Sequence, residues 1–122
     1  RAKALKDFDK AIELEPNRAE FYLERGCEYK RAEDYPKALA DFTSSVELSP
    51  DARALNFRAL VYSELGECEK AIKDYDRAIE LNPNFANAYY NRANAYAKLG
   101  DMKQCMEDYA KAADMEPFMA LL

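Results

Sequence analysis

The sequence predicts an all-α fold of stacked helix hairpins, and three observations lead there. A thirteen-residue pattern occurs four times, as ALKDFDKAIELEP at 4–16, ALADFTSSVELSP at 38–50, AIKDYDRAIELNP at 71–83 and CMEDYAKAADMEP at 105–117. Its closing prolines, Pro16, Pro50, Pro83 and Pro117, lie 34, 33 and 34 residues apart. A period of that size marks repeats that bury their apolar faces against one another. Composition agrees: 21 alanines stand against one threonine, two valines and three isoleucines, and sheets favour the β-branched residues that are scarce here. Between the prolines, apolar residues return every three or four positions with charges in the gaps, the stripe of an amphipathic helix.

The elements follow in order. Residues 1–16 form a second helix whose first helix is missing, with Ala4, Leu5, Phe8, Ala11 and Ile12 on its apolar face. Pro16 ends it, because the residue before a proline resists the helical conformation. The unit at 19–50 opens with a helix to about residue 32, buried through Tyr22, Gly26 and Tyr29. A turn at Glu33–Tyr35 and Pro36 in the first helical turn lead into a helix burying Ala38, Leu39, Phe42, Ser45 and Val46. The unit at 52–83 repeats this with Leu55, Ala59 and Tyr62, a left-handed stop at Gly66, then Ala71, Ile72, Tyr75, Ala78 and Ile79. The unit at 86–117 uses Tyr89, Ala93 and Tyr96, then Gly100, then Cys105, Met106, Tyr109, Ala112 and Ala113. Residues 118–122 read as the start of a further first helix. Small residues at Gly26, Ala59 and Ala93, and at Ala4, Ala38, Ala71 and Cys105, let paired helices approach closely, while Tyr or Phe at flanking slots fills the space between hairpins.

Bulk properties exclude several classes of function. At 122 residues the chain is about one domain long. A net charge of −5 argues against a nucleic-acid partner, which needs a concentrated basic surface. No apolar run approaches the roughly 20 residues that cross a bilayer, so no membrane partner is expected. There is no signal peptide, initiator methionine or Asn-x-Ser/Thr site, and the chain starts and stops in mid-pattern, which reads as a piece of a longer protein. Cys27, Cys68 and Cys105 are odd in number and widely spaced, as expected of reduced thiols in a cytoplasmic or nuclear protein. With no histidine, a Cys/His zinc site and a Ser–His pair are both impossible within these residues. No nucleophile–base pair, metal-ligand cluster or phosphate loop is present, so no catalytic, cofactor-binding or metal residue is expected and the segment is not read as an enzyme.

The order Tyr89, Ala93, Tyr96, Gly100, Cys105, Tyr109, Ala112 and Pro117 resembles the tetratricopeptide repeat, and so does Leu55, Ala59, Tyr62, Gly66, Ala71, Tyr75, Ala78 and Pro83. The unit at 19–50 fits with Ser45 in an alanine slot and Glu33 in the glycine slot. Three full units and a leading half cover nearly the whole chain. The resemblance implies a right-handed superhelix of antiparallel helix pairs, whose first helices line a concave groove for an extended peptide or a helix of a partner protein. Groove residues in the family are the second, fifth, ninth, twelfth and thirteenth of each first helix. Those positions here are Glu20, Leu23, Cys27, Lys30 and Arg31; Arg53, Asn56, Leu60, Ser63 and Glu64; and Asn87, Tyr90, Asn94, Ala97 and Lys98. The repeat does not need them for packing, so they can vary with the partner. Lys30, Arg31, Arg53 and Lys98 against Glu20 and Glu64 give a surplus of two positive charges, which points to a ligand of acidic character with an apolar anchor near Tyr90 or Leu60.

One subclass of the family grips acidic chaperone tails with a carboxylate clamp of Lys and Asn, then Asn, then Lys and Arg on three successive units. The matching positions hold Leu23, Cys27, Phe57, Asn87 and Asn91, none of which qualifies. Starting one unit later gives Asn56 and Leu60, and starting at the last gives Tyr90 and Asn94, of which only Asn94 matches. No clamp is expected.

Two further features stand out. Arg25, Arg58 and Arg92 share the seventh slot of the first helix, while Asp7, Asp41, Asp74 and Asp108 share one slot of the second. Their joint recurrence predicts an Arg–Asp ladder, within a hairpin or between hairpins, because the guanidinium fork matches a carboxylate while its stem packs on apolar neighbours. Cys27 lies near Lys30 and Arg31, which would lower a thiol pKa. The tyrosines read as core rather than base-stacking platforms, apart from Tyr90. The functional expectation is a protein–protein interaction scaffold, adaptor or co-chaperone-like; the alternative is the repeat arm of a larger enzyme that presents substrates to a catalytic domain elsewhere. Self-association through exposed apolar ends, with Phe118, Met119, Leu121 and Leu122 at one of them, is a third expectation.

Overall fold

The computed structural model describes residues 2–115, in seven helices: α1 (Ala2–Leu14), α2 (Ala19–Arg31), α3 (Tyr35–Leu48), α4 (Ala52–Glu64), α5 (Cys68–Leu81), α6 (Ala86–Leu99) and α7 (Met102–Met115). Residues 118–122, and with them the apolar end expected there, lie outside the described residues. Connections of two to four residues force neighbouring helices antiparallel. The pairs are α2 with α3, α4 with α5 and α6 with α7; successive pairs stack through α3–α4 and α5–α6, and α1 lies on α2. The first helices also touch one another, α2 with α4 and α4 with α6, so they form one continuous face.

Local chemistry sets the helix ends. The side chains of Asp34, Asp51 and Asp101 accept from the backbone N–H of Lys37, Arg53 and Gln104, which satisfies orphan donors of the first turn. Pro36 sits in the first turn of α3. Gly66 and Gly100 stop α4 and α6 at φ 82° and 84°. Glu33 takes the same slot after α2 at φ 60°, where its Cβ is crowded.

The core runs the length of the stack. Phe42, Leu55, Val61 and Tyr75 are fully buried, and Ala38, Ala59, Ala71, Ala78, Ala93 and Ala112 fill the small slots. At Gly26 the approach is tight: a Cβ there would stand 2.7 Å from the Phe42 ring and 3.2 Å from the Asp41 Cβ. Phe42 also stacks on Phe57 of the next hairpin, ring centres 5.7 Å apart. One expected core residue is not covered: Met106 is exposed. Its slot holds Leu39 and Ile72 in earlier units, half-buried beside a following hairpin, and no following hairpin falls within the described residues.

The predicted ladder exists, and it joins helices both within and between hairpins. Nε and Nη2 of Arg25 donate to the two carboxylate oxygens of Asp41 at 2.8 and 2.7 Å. Arg58 grips Asp74 the same way at 2.7 and 2.8 Å, and Arg92 grips Asp108 at 2.7 and 2.8 Å. The third arm of each fork, Nη1, reaches back to the preceding second helix: to Asp9 at 2.8 Å from Arg25, to Asp76 at 2.7 Å from Arg92, and only to the Thr43 hydroxyl at 3.4 Å from Arg58. Asp41, Asp74 and Asp108 are buried, whereas Asp7, first of the acid row, is exposed. Hydrogen bonds donated to these carboxylates hold all three guanidinium groups more firmly protonated than a free arginine. Tyrosines flank the column: the Arg25 guanidinium lies over Tyr22 and Tyr29, Arg58 over Tyr62, and Arg92 over Tyr89 and Tyr96. Each ring face thereby stabilises the cation it borders.

Candidate functional site

The face made by α2, α4 and α6 carries two hollows. The first, about 290 Å³, is bounded by Phe8, Leu23, Glu24, Cys27, Glu28, Arg31, Arg53 and Phe57. The second, about 300 Å³, is bounded by Leu60, Ser63, Glu64, Asn91, Asn94 and Lys98 over a floor at Tyr75. A smaller depression beside the first, about 210 Å³, takes in Glu20, Leu23, Asp51 and Arg53. Nine of the fifteen groove-slot residues thus gather around two hollows, with Glu20 at their edge.

The other five stand apart. Lys30 is half-buried, Asn87 and Ala97 are exposed, and Tyr90 is exposed with its ring 5.5 Å from that of Tyr109. Asn56 is the fifth, and it is buried, as are Leu23 and Ser63. Three of the fifteen groove slots are therefore largely covered by their own stack. Neighbouring first helices approach closely enough for a fifth-slot side chain to meet the sixth slot of the next unit: Asn91 Nδ2 donates to Asn56 Oδ1 at 3.1 Å. Lys98 Nζ reaches across likewise and donates to the backbone oxygen and hydroxyl of Ser63 at 3.3 and 3.1 Å. Asn94 Oδ1 accepts from the Tyr109 hydroxyl.

Slot counting alone missed Glu24, Glu28, Phe57 and Asn91. They occupy the sixth and tenth positions of the first helices, one residue from a groove slot, and a 3.6-residue turn brings them to the same edge. Their charge matters. Arg31 pairs with Glu28 at 2.5 Å, Arg53 pairs with Asp51 at 3.5 Å, and Glu24 lines the first hollow. These three acids more than offset the surplus of two positive charges that the groove slots alone suggested and leave one net negative charge, so the face is close to neutral.

The Cys27 expectation is also overturned. Its thiol is half-buried, and burial pushes its pKa above the ordinary thiol value more than Arg31 and Lys30 pull it down. Among the described residues no cluster of acidic, cysteine or histidine side chains could hold a metal ion, and no helix is long and apolar enough to cross a membrane.

Comparison with known proteins agrees with this geometry. A "TPR repeat" family model matches residues 59–100, and two "Tetratricopeptide repeat" models match 23–67 and 86–118. The Hsp70-Hsp90 organizing protein of Triticum aestivum is 33% identical over 88 residues, covering 71% of this chain and 15% of that protein. Serine/threonine-protein phosphatase 5 of Rattus norvegicus is 35% identical over 86 residues, 70% of this chain and 17% of its own length. The chain thus spans under a fifth of the length of these relatives. The first TPR of Spaghetti (RPAP3), solved bound to the HSP90 peptide SRMEEVD, superposes with a TM-score of 0.80 at 26% identity, covering 81% of this chain and 79% of the other. With three models in succession spanning residues 23–118 and the same slots filled in each hairpin, the chain belongs to the tetratricopeptide repeat family.

Proposed function

We propose that this segment is a protein-interaction scaffold that holds a peptide or helix of a partner protein along α2, α4 and α6. The observation that carries it is the pair of hollows between successive first helices, formed by side chains at slots the hairpins leave variable. Relatives named for organizing Hsp70 and Hsp90, and a neighbour solved with an HSP90 peptide, support a protein partner of adaptor or co-chaperone type.

The ligand reads as near-neutral with an apolar part. Phe57 and Phe8 offer contact in the first hollow and Leu60 in the second, while the paired arginines leave little net attraction for an acidic tail. The carboxylate-clamp positions agree. Leu23 is buried, Cys27 and Phe57 are half-buried and uncharged, and Asn87 and Asn91 carry no cation. The peptide SRMEEVD is therefore expected to bind more weakly than about 1 mM, a free energy of only about 4 kcal/mol. Micromolar binding in a calorimetric titration would overturn the no-clamp reading.

For the groove itself, the test compares the wild-type chain with an Arg53→Glu/Tyr90→Ala double variant of equal helicity in affinity capture from cell extract. Both residues are exposed, so folding should survive. Partners lost only from the variant support the groove; partners kept by both refute it. The phosphatase relative favours a second reading, a repeat arm attached to a catalytic domain outside these residues. A catalytic motif in the parent polypeptide would decide for it.

A further inference from the structure

The three full hairpins meet at two seams, and polar contacts tie the seams unequally. Across the seam between α4–α5 and α6–α7, Arg92 Nη1 donates to Asp76 at 2.7 Å and Asn91 Nδ2 to Asn56 Oδ1 at 3.1 Å. Lys98 Nζ adds its contacts to the backbone oxygen and hydroxyl of Ser63 at 3.3 and 3.1 Å. Across the seam between α2–α3 and α4–α5, the same three places are filled differently. Thr43 takes the slot of Asp76, and the reach from Arg58 Nη1 lengthens to 3.4 Å, past the usual range of an N–H···O bond. Leu23 and Phe57 take the slots of Asn56 and Asn91, and their side chains neither donate nor accept. Lys30 and Glu64 take the slots of Ser63 and Lys98; they carry opposite charges, yet no ion pair joins them among the described residues.

Apolar packing holds this seam, with Phe42 stacked on Phe57 across it. Burial of apolar surface is non-directional, so it keeps two hairpins together without fixing the angle between them. Hydrogen bonds fix both distance and direction. Each such link favours one arrangement over its neighbours by about two- to tenfold, and this seam has lost all but a stretched one. Its connection is also short. Residues 49–51 join α3 to α4, against the four residues of 82–85 that join α5 to α6. That short link ties the end of α3 to the start of α4 and leaves the opposite ends, the turns at 32–34 and 65–67, free to swing about it. The hollow bounded by Leu23, Cys27, Arg31, Arg53 and Phe57 spans this loosely tied seam, whereas the hollow bounded by Leu60, Ser63, Asn91 and Lys98 spans the firmly tied one.

We propose that the seam between the α2–α3 and α4–α5 hairpins is the joint of the stack: the hairpins rock about residues 49–51, so the first hollow changes width while the second keeps its shape. The proposal stands on the contacts within the chain and needs no groove ligand. The test measures distance distributions by double electron–electron resonance. Spin labels are attached through a genetically encoded reactive side chain, which leaves the native cysteines in place. One pair, at Ala32 and Leu65, spans the joint; the other, at Leu65 and Leu99, spans the tied seam; all three positions are exposed at the ends of first helices. The Ala32–Leu65 distribution is expected to be the broader. Thr43→Asp supplies the carboxylate that Asp9 and Asp76 hold against their arginines at 2.8 and 2.7 Å. It should narrow the Ala32–Leu65 distribution toward that of Leu65–Leu99 and leave the latter unchanged. The converse variant, Asp76→Thr/Lys98→Ala, should broaden Leu65–Leu99. Equal widths in the wild-type chain, or an Ala32–Leu65 width that Thr43→Asp leaves unchanged, overturns the proposal. Circular dichroism checks that each variant keeps its helicity, and the Thr43→Asp arm decides alone should the double variant lose it.

Discussion

Arg58 shows what a single side chain does in this stack. Its fork closes on Asp74, which is buried, while its Nη1 reaches Thr43 of the preceding hairpin. A buried pair adds little net stability over an apolar substitute, but removing one partner strands the other charge in a low dielectric. Arg58→Met is expected to cost about 3 kcal/mol or more, whereas Arg58→Met/Asp74→Leu should recover much of that loss. Chemical denaturation of both variants checks it, and a single variant as stable as wild type would remove the structural role. Cys27 makes a different point about neighbours. Two cations nearby do not activate a thiol whose burial outweighs them. The thiolate is scarce below the raised pKa, so alkylation of Cys27 by iodoacetamide at pH 7.4 should run slower in the folded chain than in urea. The folded-chain rate should then climb as pH passes 9 toward that pKa. A folded chain that reacts faster at neutral pH would contradict this.

Helix pairing depends on two special backbone positions. Gly26 leaves no room for a side chain, because Phe42 is fully buried and stacked on Phe57 and cannot yield. Gly26→Ala should gain about 1 kcal/mol in helix propensity and lose more to overpacking, typically 1–3 kcal/mol. The thermal midpoint is expected to fall. A rise would mean that α2 can open to the spacing at which Ala59 and Ala93 are accepted. Glu33 closes α2 in a left-handed conformation that its sister units assign to glycine. Glu33→Gly should therefore stabilise the α2–α3 hairpin by about 1 kcal/mol, seen as a higher denaturation midpoint at unchanged slope. No gain would show that the turn relaxes around Glu33 without strain.

The whole molecule is a one-dimensional stack, in which stability depends on the number of neighbours each helix has. Helix α4 packs against α5, α3, α2 and α6 and buries six residues; α1 packs on α2 alone and buries none. Amide hydrogen exchange should be fastest in α1 and slowest in α4 and α5. Uniform protection across all seven helices would mean that the stack opens only as a unit.

Much of this was legible in the sequence. The 34, 33 and 34 residue steps settled the hairpin count, the turn at Gly66 and the small slots at Gly26, Ala59 and Ala93, because each depends on contacts that recur in every unit. Even the Arg–Asp ladder could be read, since a charge conserved at a fixed slot across units needs a fixed partner. What the slots could not show is how two neighbouring units differ at their junction. Asn56 is buried by Asn91 and Ser63 is engaged by Lys98, contacts across 35 residues that depend on which side chains happen to face each other. The face's near-neutral charge depends in the same way on Glu24, Glu28 and Asp51, residues outside the groove slots. The sequence by itself determined the repeat, because packing within a hairpin is the same problem solved each time. Only the tertiary structure decided the surface the stack presents, because that surface is made by pairs of non-equivalent residues brought together when one unit lies against the next.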